Sequence, residues 1–157
     1  MKITLLVIGK TEHAYLKEGI NKYLARLKHY AKVEFAEIPE LKNTKSLTRD
    51  QQKAKEAEML LKKIGPADYV ILLDENGIQL SSSQFAAYLD KKAINSVSDL
   101  VFIVGGPYGF DPSVHQRAND KLSLSRMTFS HQMVRLFFTE QLYRAFTILK
   151  GEPYHHS

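Results

Sequence analysis

Apolar residues along this chain come in two kinds of run. Residues 3–8, 69–73 and 100–104 are nearly continuous apolar stretches, short enough for strands buried on both faces of a sheet. Val33, Phe35 and Ile38 suggest a further strand, and a short one is expected near 122–124. Between these runs the spacing turns helical: Tyr15, Leu16, Ile20, Tyr23, Leu24 and Leu27 recur along one face of a turn-by-turn repeat. Thr11 is a candidate cap for that helix. Thr48 with Gln51, and Ser81 with Gln84, have capping-box spacing and predict helices to about Lys63 and Ile94. Asp111-Pro112 reads as an N-cap followed by proline in the first helical position. A long helix is predicted over 131–149, apolar almost all round. Its polar residues fall into two pairs, His131 with Arg135 and Glu140 with Arg144, nine positions apart and so on opposite sides at about 100° per residue. Such a helix suits packing on more than one side, as at a subunit interface; an ordinary core helix is the alternative.

Alternation of strands and helices predicts an α/β fold, a mostly parallel sheet with helices on both faces. The length of 157 residues, with no repeat and no Pro/Gly/Ser-rich linker, suits one domain over 1–157. The chain has no cysteine, which excludes disulfides and thiolate metal sites. It has no apolar run of the roughly 18 residues a membrane span needs and no signal-peptide pattern, so a soluble, cytoplasmic protein is expected.

The net charge is +5 and the sequence pI about 9.3. Such a balance suggests an acidic partner, most commonly nucleic acid; a basic protein with no such partner is the alternative. The charge is uneven. Residues 1–64 carry 14 Lys/Arg against 8 Asp/Glu, residues 65–110 carry 2 against 5, and residues 111–157 carry 6 against 4. Any polyanion therefore meets chiefly the first part.

Two loops are candidates for binding. Gly105-Gly106-Pro107-Tyr108-Gly109 follows a strand and precedes a helix, where open α/β sheets bind ligands. Its glycine spacing is not that of a dinucleotide fingerprint or a phosphate-binding P-loop; a plain tight turn is the alternative. The stretch from Leu122 to Phe129 lies between the short strand and the last helix, and its polar backbone and apolar side chains could hold an adenine and a thioether; a plain connecting loop is the alternative. Asp111, Ser125 and His131 lack a nucleophile elbow, and the six histidines show no metal-ligand spacing.

In order along the chain, these residues resemble the SPOUT methyltransferase class, and closely its ribosomal large-subunit pseudouridine N3-methyltransferase family. The resemblance is carried by Met1-Lys2-Ile3 with Gly9-Lys10, by Leu73-Asp74, by residues 103–109, and by residues 122–132. It continues through Arg135, residues 140–145 and Pro153-Tyr154-His155, and so spans essentially the whole chain. Ser130 departs from the proline common in that family.

The resemblance implies a deep C-terminal trefoil knot, a homodimer and S-adenosylmethionine as cofactor. It also implies methylation of N3 of a pseudouridine in 23S ribosomal RNA, on the assembled ribosome, with no metal and no membrane. Carried over by position, Leu73, Gly105, Gly106, Gly109, Leu124, Ser125, Arg126, Met127, Thr128 and Phe129 are the expected cofactor residues. His155 is expected to assist deprotonation and Tyr154 to position the base. Arg135 and Arg144 are expected to hold phosphate or uracil oxygens, with Glu140 orienting Arg144.

Overall fold

The computed structural model describes residues 1–156. Five strands form one sheet: β1 (Lys2–Ile8), β2 (Lys32–Ile38), β3 (Tyr69–Gln79), β4 (Asp99–Val104) and β5 (Asp120–Ser123). Their order is β2-β1-β4-β3-β5, and every pairing is parallel. Five helices connect or follow them: α1 (Ala14–Leu27), α2 (Arg49–Lys62), α3 (Ser82–Ile94), α4 (Pro112–Arg117) and α5 (His131–Leu149).

The continuous apolar strands do what their pattern requires, because both faces of the sheet are covered. Ile3, Leu5, Val7, Ile71, Leu100 and Phe102 meet Leu27 of α1, Phe85 and Leu89 of α3, and Phe138 and Leu142 of α5. The intervening residues Leu6, Ile8, Val70, Leu72, Val101 and Ile103 meet Ala57 and Leu60 of α2 and Val114 of α4. Alternation along each strand thus feeds two cores on opposite sides of one sheet.

Local chemistry sets most helix starts. Both predicted capping boxes form, with Thr48 and Ser81 accepting from the backbone N–H of Gln51 and Gln84. Asp111 accepts from Ser113 N at α4, and Ser130 accepts from Met133 N at α5, so the serine at 130 caps the last helix. Thr11 does not cap α1. That helix starts at His13 without a side-chain cap. Thr11 is instead buried, its N–H donating to Glu37 and its hydroxyl accepting from Arg135.

β3 is longer than its apolar run. It pairs with β5 through Leu73, shifts register, and pairs again at Ile78, so that Leu73 and Ile78 both face Leu122. Asp74 accepts from Asn76 N at 2.9 Å within this bulge. Gly77 lies so close to β5 that a Cβ there would stand 2.6 Å from Leu122 N. Bulged strands re-aim the side chains at their ends, and here they turn Asp74 and Glu75 toward the functional end of the sheet.

Candidate functional site

A cleft of about 450 Å³ opens at the carboxyl ends of β3, β4 and β5, where the open-sheet rule places ligands. Leu73, where the bulge of β3 begins, and Val104 and Ser123, which end β4 and β5, lie among its lining. One wall is the glycine loop, residues 105–110, and the other is the loop of residues 123–130 with the first turn of α5. Gly109 has φ +83°, a backbone conformation that L side chains rarely adopt, and bridges back to Gly106 to fold the loop over itself. Thr128 Oγ1 donates to Glu75 Oε2 at 2.8 Å, tying the second loop to the bulge of β3.

Nine of the ten expected cofactor residues line this cleft: Leu73, Gly105, Gly106, Gly109, Leu124, Ser125, Met127, Thr128 and Phe129. Arg126 does not; it is exposed outside it. Asp74, Glu75, Phe110, His131 and Val134, which were not among the expected cofactor residues, also line the cleft. Asp74 and Glu75 were legible as the residues that follow a buried strand. His131 and Val134 were not, since only the packing of α5 brings its first turn here. Neither lysine nor arginine contributes to the lining, whereas two carboxylates do.

The expected catalytic residues divide. Four form one cluster where the chain folds back after α5. Arg144 Nε donates to Glu140 Oε1 at 3.1 Å, and Tyr154 Oη donates to the same oxygen at 3.0 Å. Arg144 Nη1 lies 3.1 Å from His155 Nδ1. The Arg144 guanidinium also sits 4.7 Å from the centre of the Tyr154 ring. The carboxylate of Glu140 holds Arg144 even above the usual guanidinium range. Burial, aided by hydrogen bonds with Tyr23 and Glu140, raises the Tyr154 phenol, which therefore stays protonated. Tyr23 of α1, expected from sequence only as part of the apolar face of that helix, joins the cluster with its hydroxyl 3.5 Å from that of Tyr154. Behind it, the hydroxyl of Tyr30 donates to Glu152 and anchors the tail to the turn that follows α1, which pushes the Tyr30 phenol up to about 12.

Arg135 departs from its expected role. It is 0% exposed, and its guanidinium donates to Ile8 O, Gly9 O and Thr11 Oγ1. Burial lowers its pKa against the opposing pull of Glu37. Its Nε has no partner but is sealed from solvent with the rest of the side chain, so Arg135 has no donor within reach of a phosphate or a uracil and braces the fold. Gln132 acts beside it, accepting from Glu12 N and donating to Lys10 O.

A Ser/His/Asp triad of Ser125, His131 and Asp111 finds no support in the geometry. The Asp111 carboxylate is engaged by Ser113 N and Oγ, which lower its pKa, and Ser125 Oγ accepts from Met127 N. Among the described residues, no group of three or more His, Asp or Glu is placed to hold a metal, and no helix is long and apolar enough to cross a membrane.

Comparison with known proteins agrees with this geometry. Residues 1–155 match a family model described as a predicted SPOUT methyltransferase. The chain is 57% identical over 156 residues to a ribosomal RNA large subunit methyltransferase H of Christiangramia forsetii, covering 99% of each chain. Proteins of the same name from Parabacteroides distasonis and Bacteroides fragilis are 56% and 53% identical over the same length and coverage.

Proposed function

The chain belongs to the SPOUT methyltransferase family, and from that premise we propose that it methylates N3 of a pseudouridine in 23S ribosomal RNA, with S-adenosylmethionine as donor. We read it as a single-domain cytoplasmic enzyme with the family's C-terminal trefoil knot, working on the assembled ribosome.

The observation that carries the reading is the cleft. Its apolar walls of Leu73, Val104, Phe110, Leu124 and Val134 suit an adenine and a thioether chain. The backbone groups of the two loops supply donors and acceptors, and Asp74 and Glu75 suit ribose hydroxyls and positive charge. A sulfonium compound fits a site with carboxylates and without Lys or Arg. Such a cofactor brings a methyl group already activated for displacement.

What remains for the protein is alignment and a proton. N3 of the uracil ring carries a hydrogen that must pass to solvent water before the methyl arrives, and the charge left behind spreads onto the flanking carbonyl oxygens. A guanidinium can only donate, so the Nδ1 atom of His155 accepts from Arg144 and the ring proton sits on Nε2. His155 thereby offers an N–H to a carbonyl oxygen and assists deprotonation by stabilising the anion. Arg144 adds its charge, and Glu140 holds it in place. Tyr154, held by Glu140 and packed edge-on against Tyr143, serves as a rigid wall that positions the base.

A homodimer is part of the same proposal. A mainly apolar groove of about 650 Å³ lies beside the cleft and shares Ser123, Leu124 and Phe129 with it. Its other walls include Phe85 of α3 and Leu136, Phe137 and Glu140 of α5. A second copy seated there would cover Phe137 and bring two sets of loops together.

Calorimetric titration with S-adenosylmethionine, alone and with ribosomes present, tests the cofactor. Transfer of labelled methyl to ribosomes lacking the modification, with mapping of the product nucleoside, tests the acceptor. Absence of saturable binding under both conditions by folded protein overturns the reading.

A further inference from the structure

Of residues 104–110, Tyr108 is the one that does not line the cleft, and it is 42% exposed. The guanidinium of Arg49 lies 5.1 Å from the centre of that ring. The contact is built from behind. Arg49, Gln52 and Glu56 share one face of α2, three and four residues apart. The buried carboxylate of Glu56 stands 2.8 Å from where a Cβ on Gly106 would be, and Gln52 Nε2 donates to it at 3.4 Å. This face of α2 is therefore seated against the glycine loop, and Tyr108 and Arg49 meet at its upper edge.

Helix stability does not account for Arg49. It occupies the first position of α2, where the helix dipole disfavours a cation. Among the described residues it has no carboxylate at salt-bridge distance. Around it, residues 42–55 carry five Lys/Arg against one Asp, and Lys42 and Lys45 are exposed. An exposed aromatic face beside an unpaired planar cation, on a basic stretch at the rim of a cleft, is the chemistry that holds single-stranded nucleic acid: a base stacks and a phosphate is paired.

We propose that Tyr108 and Arg49 are positioning residues that grip the RNA strand next to the target nucleotide, Tyr108 by stacking and Arg49 by a phosphate contact. The assignment rests on the reading of the chain as a ribosomal RNA methyltransferase. It places the docking of substrate on α2 and the glycine loop, so that binding RNA and framing the cofactor use the two sides of one loop.

Co-sedimentation with ribosomes across a salt series tests this independently of catalysis, using Tyr108→Ala, Tyr108→Phe and Arg49→Gln. Tyr108→Ala is expected to weaken binding about tenfold, a stacking contact's worth, while Tyr108→Phe keeps near wild-type affinity. Arg49→Gln is expected to lower the slope of log affinity against log salt by about one. In methyl-transfer assays both losses should appear in KM, with kcat and the cofactor's Kd little changed. Unchanged ribosome affinity in Tyr108→Ala and Arg49→Gln overturns the proposal, as does a loss confined to cofactor binding, which would make Tyr108 a loop-shaping residue. Loss on ribosomes with full retention on protein-free 23S RNA would point to a protein partner and also overturn it. A wild type that pellets with ribosomes yet transfers no methyl would defeat the enzymatic reading and leave this comparison readable.

Discussion

Arg144 Nη1 and His155 Nδ1 lie 3.1 Å apart across eleven residues of chain, and that contact settles which imidazole nitrogen carries the proton. Nε2 is then the donor. His155→Ala should lower the single-turnover methyl-transfer rate by about 10²- to 10³-fold, the range for losing one donor to a developing anion, with cofactor affinity within about twofold. His155→Gln, which can still present an N–H, should recover part of the rate. Equal rates for alanine and wild type would remove His155 from the reaction, and a glutamine variant as slow as alanine would argue for a base in place of a donor.

Arg135 should behave as a structural residue. Replacing it with leucine strips donors from Ile8 O and Gly9 O at the end of β1. Leaving these two buried carbonyls without donors costs about 3 kcal/mol or more. At roughly 2–4 °C per kcal/mol for a domain of this size, Tm should fall by about 6–12 °C. Ribosome affinity, measured well below that Tm, should stay at the wild-type value; a selective loss of ribosome binding with unchanged Tm would restore Arg135 to the RNA site.

Gly77 tests the bulge. A methyl group there would stand 2.6 Å from both Leu122 N and Lys121 C, backbone atoms that cannot swing aside. Gly77→Ala should cost about 1–3 kcal/mol, the usual penalty of overpacking, visible as a lower denaturation midpoint. Because the bulge carries Asp74 and Glu75 into the cleft, cofactor affinity should fall as well. A variant as stable as wild type would show that β3 and β5 can separate here at no cost.

Glu56 gives a pH dependence. Burial raises its pKa, only partly offset by the hydrogen bond from Gln52. A carboxyl whose folded pKa exceeds its unfolded value of about 4.3 holds more protons folded than unfolded, so its contribution to stability declines as pH rises through that interval. Glu56→Gln should remove this decline. Comparing the variant with wild type, the difference in Tm should move in the variant's favour between pH 4 and 7, by about 2–4 °C for each kcal/mol. A difference that stays flat with pH would mean that Glu56 is solvated well enough to ionise freely.

Most of the elements could be read from the sequence because their causes are local. A continuous apolar run, a helical repeat, a capping box at Thr48 or Ser81, and Asp111 before Pro112 each act within a few residues. The two loops that frame the cleft were legible for the same reason: they follow strands, and ligands gather at strand ends. Two things were not local. The shift in β3 depends on how close β5 approaches at Gly77, a distance between segments about 45 residues apart. Periodicity puts Arg135 and Arg144 on opposite sides of one helix, but that helix is apolar nearly all round, so the pattern does not say which side faces the core. Packing did: α5 lies between α1 and α3 over the sheet, which sends Arg135 inward to the end of β1 and leaves Arg144 at the edge, where the returning tail supplies Tyr154 and His155. The sequence determined the inventory of elements and the chemistry available. Only the tertiary structure decided which arginine is sealed in the core and which can meet a substrate, because that choice is made by contacts between helices and not by the order of residues within one.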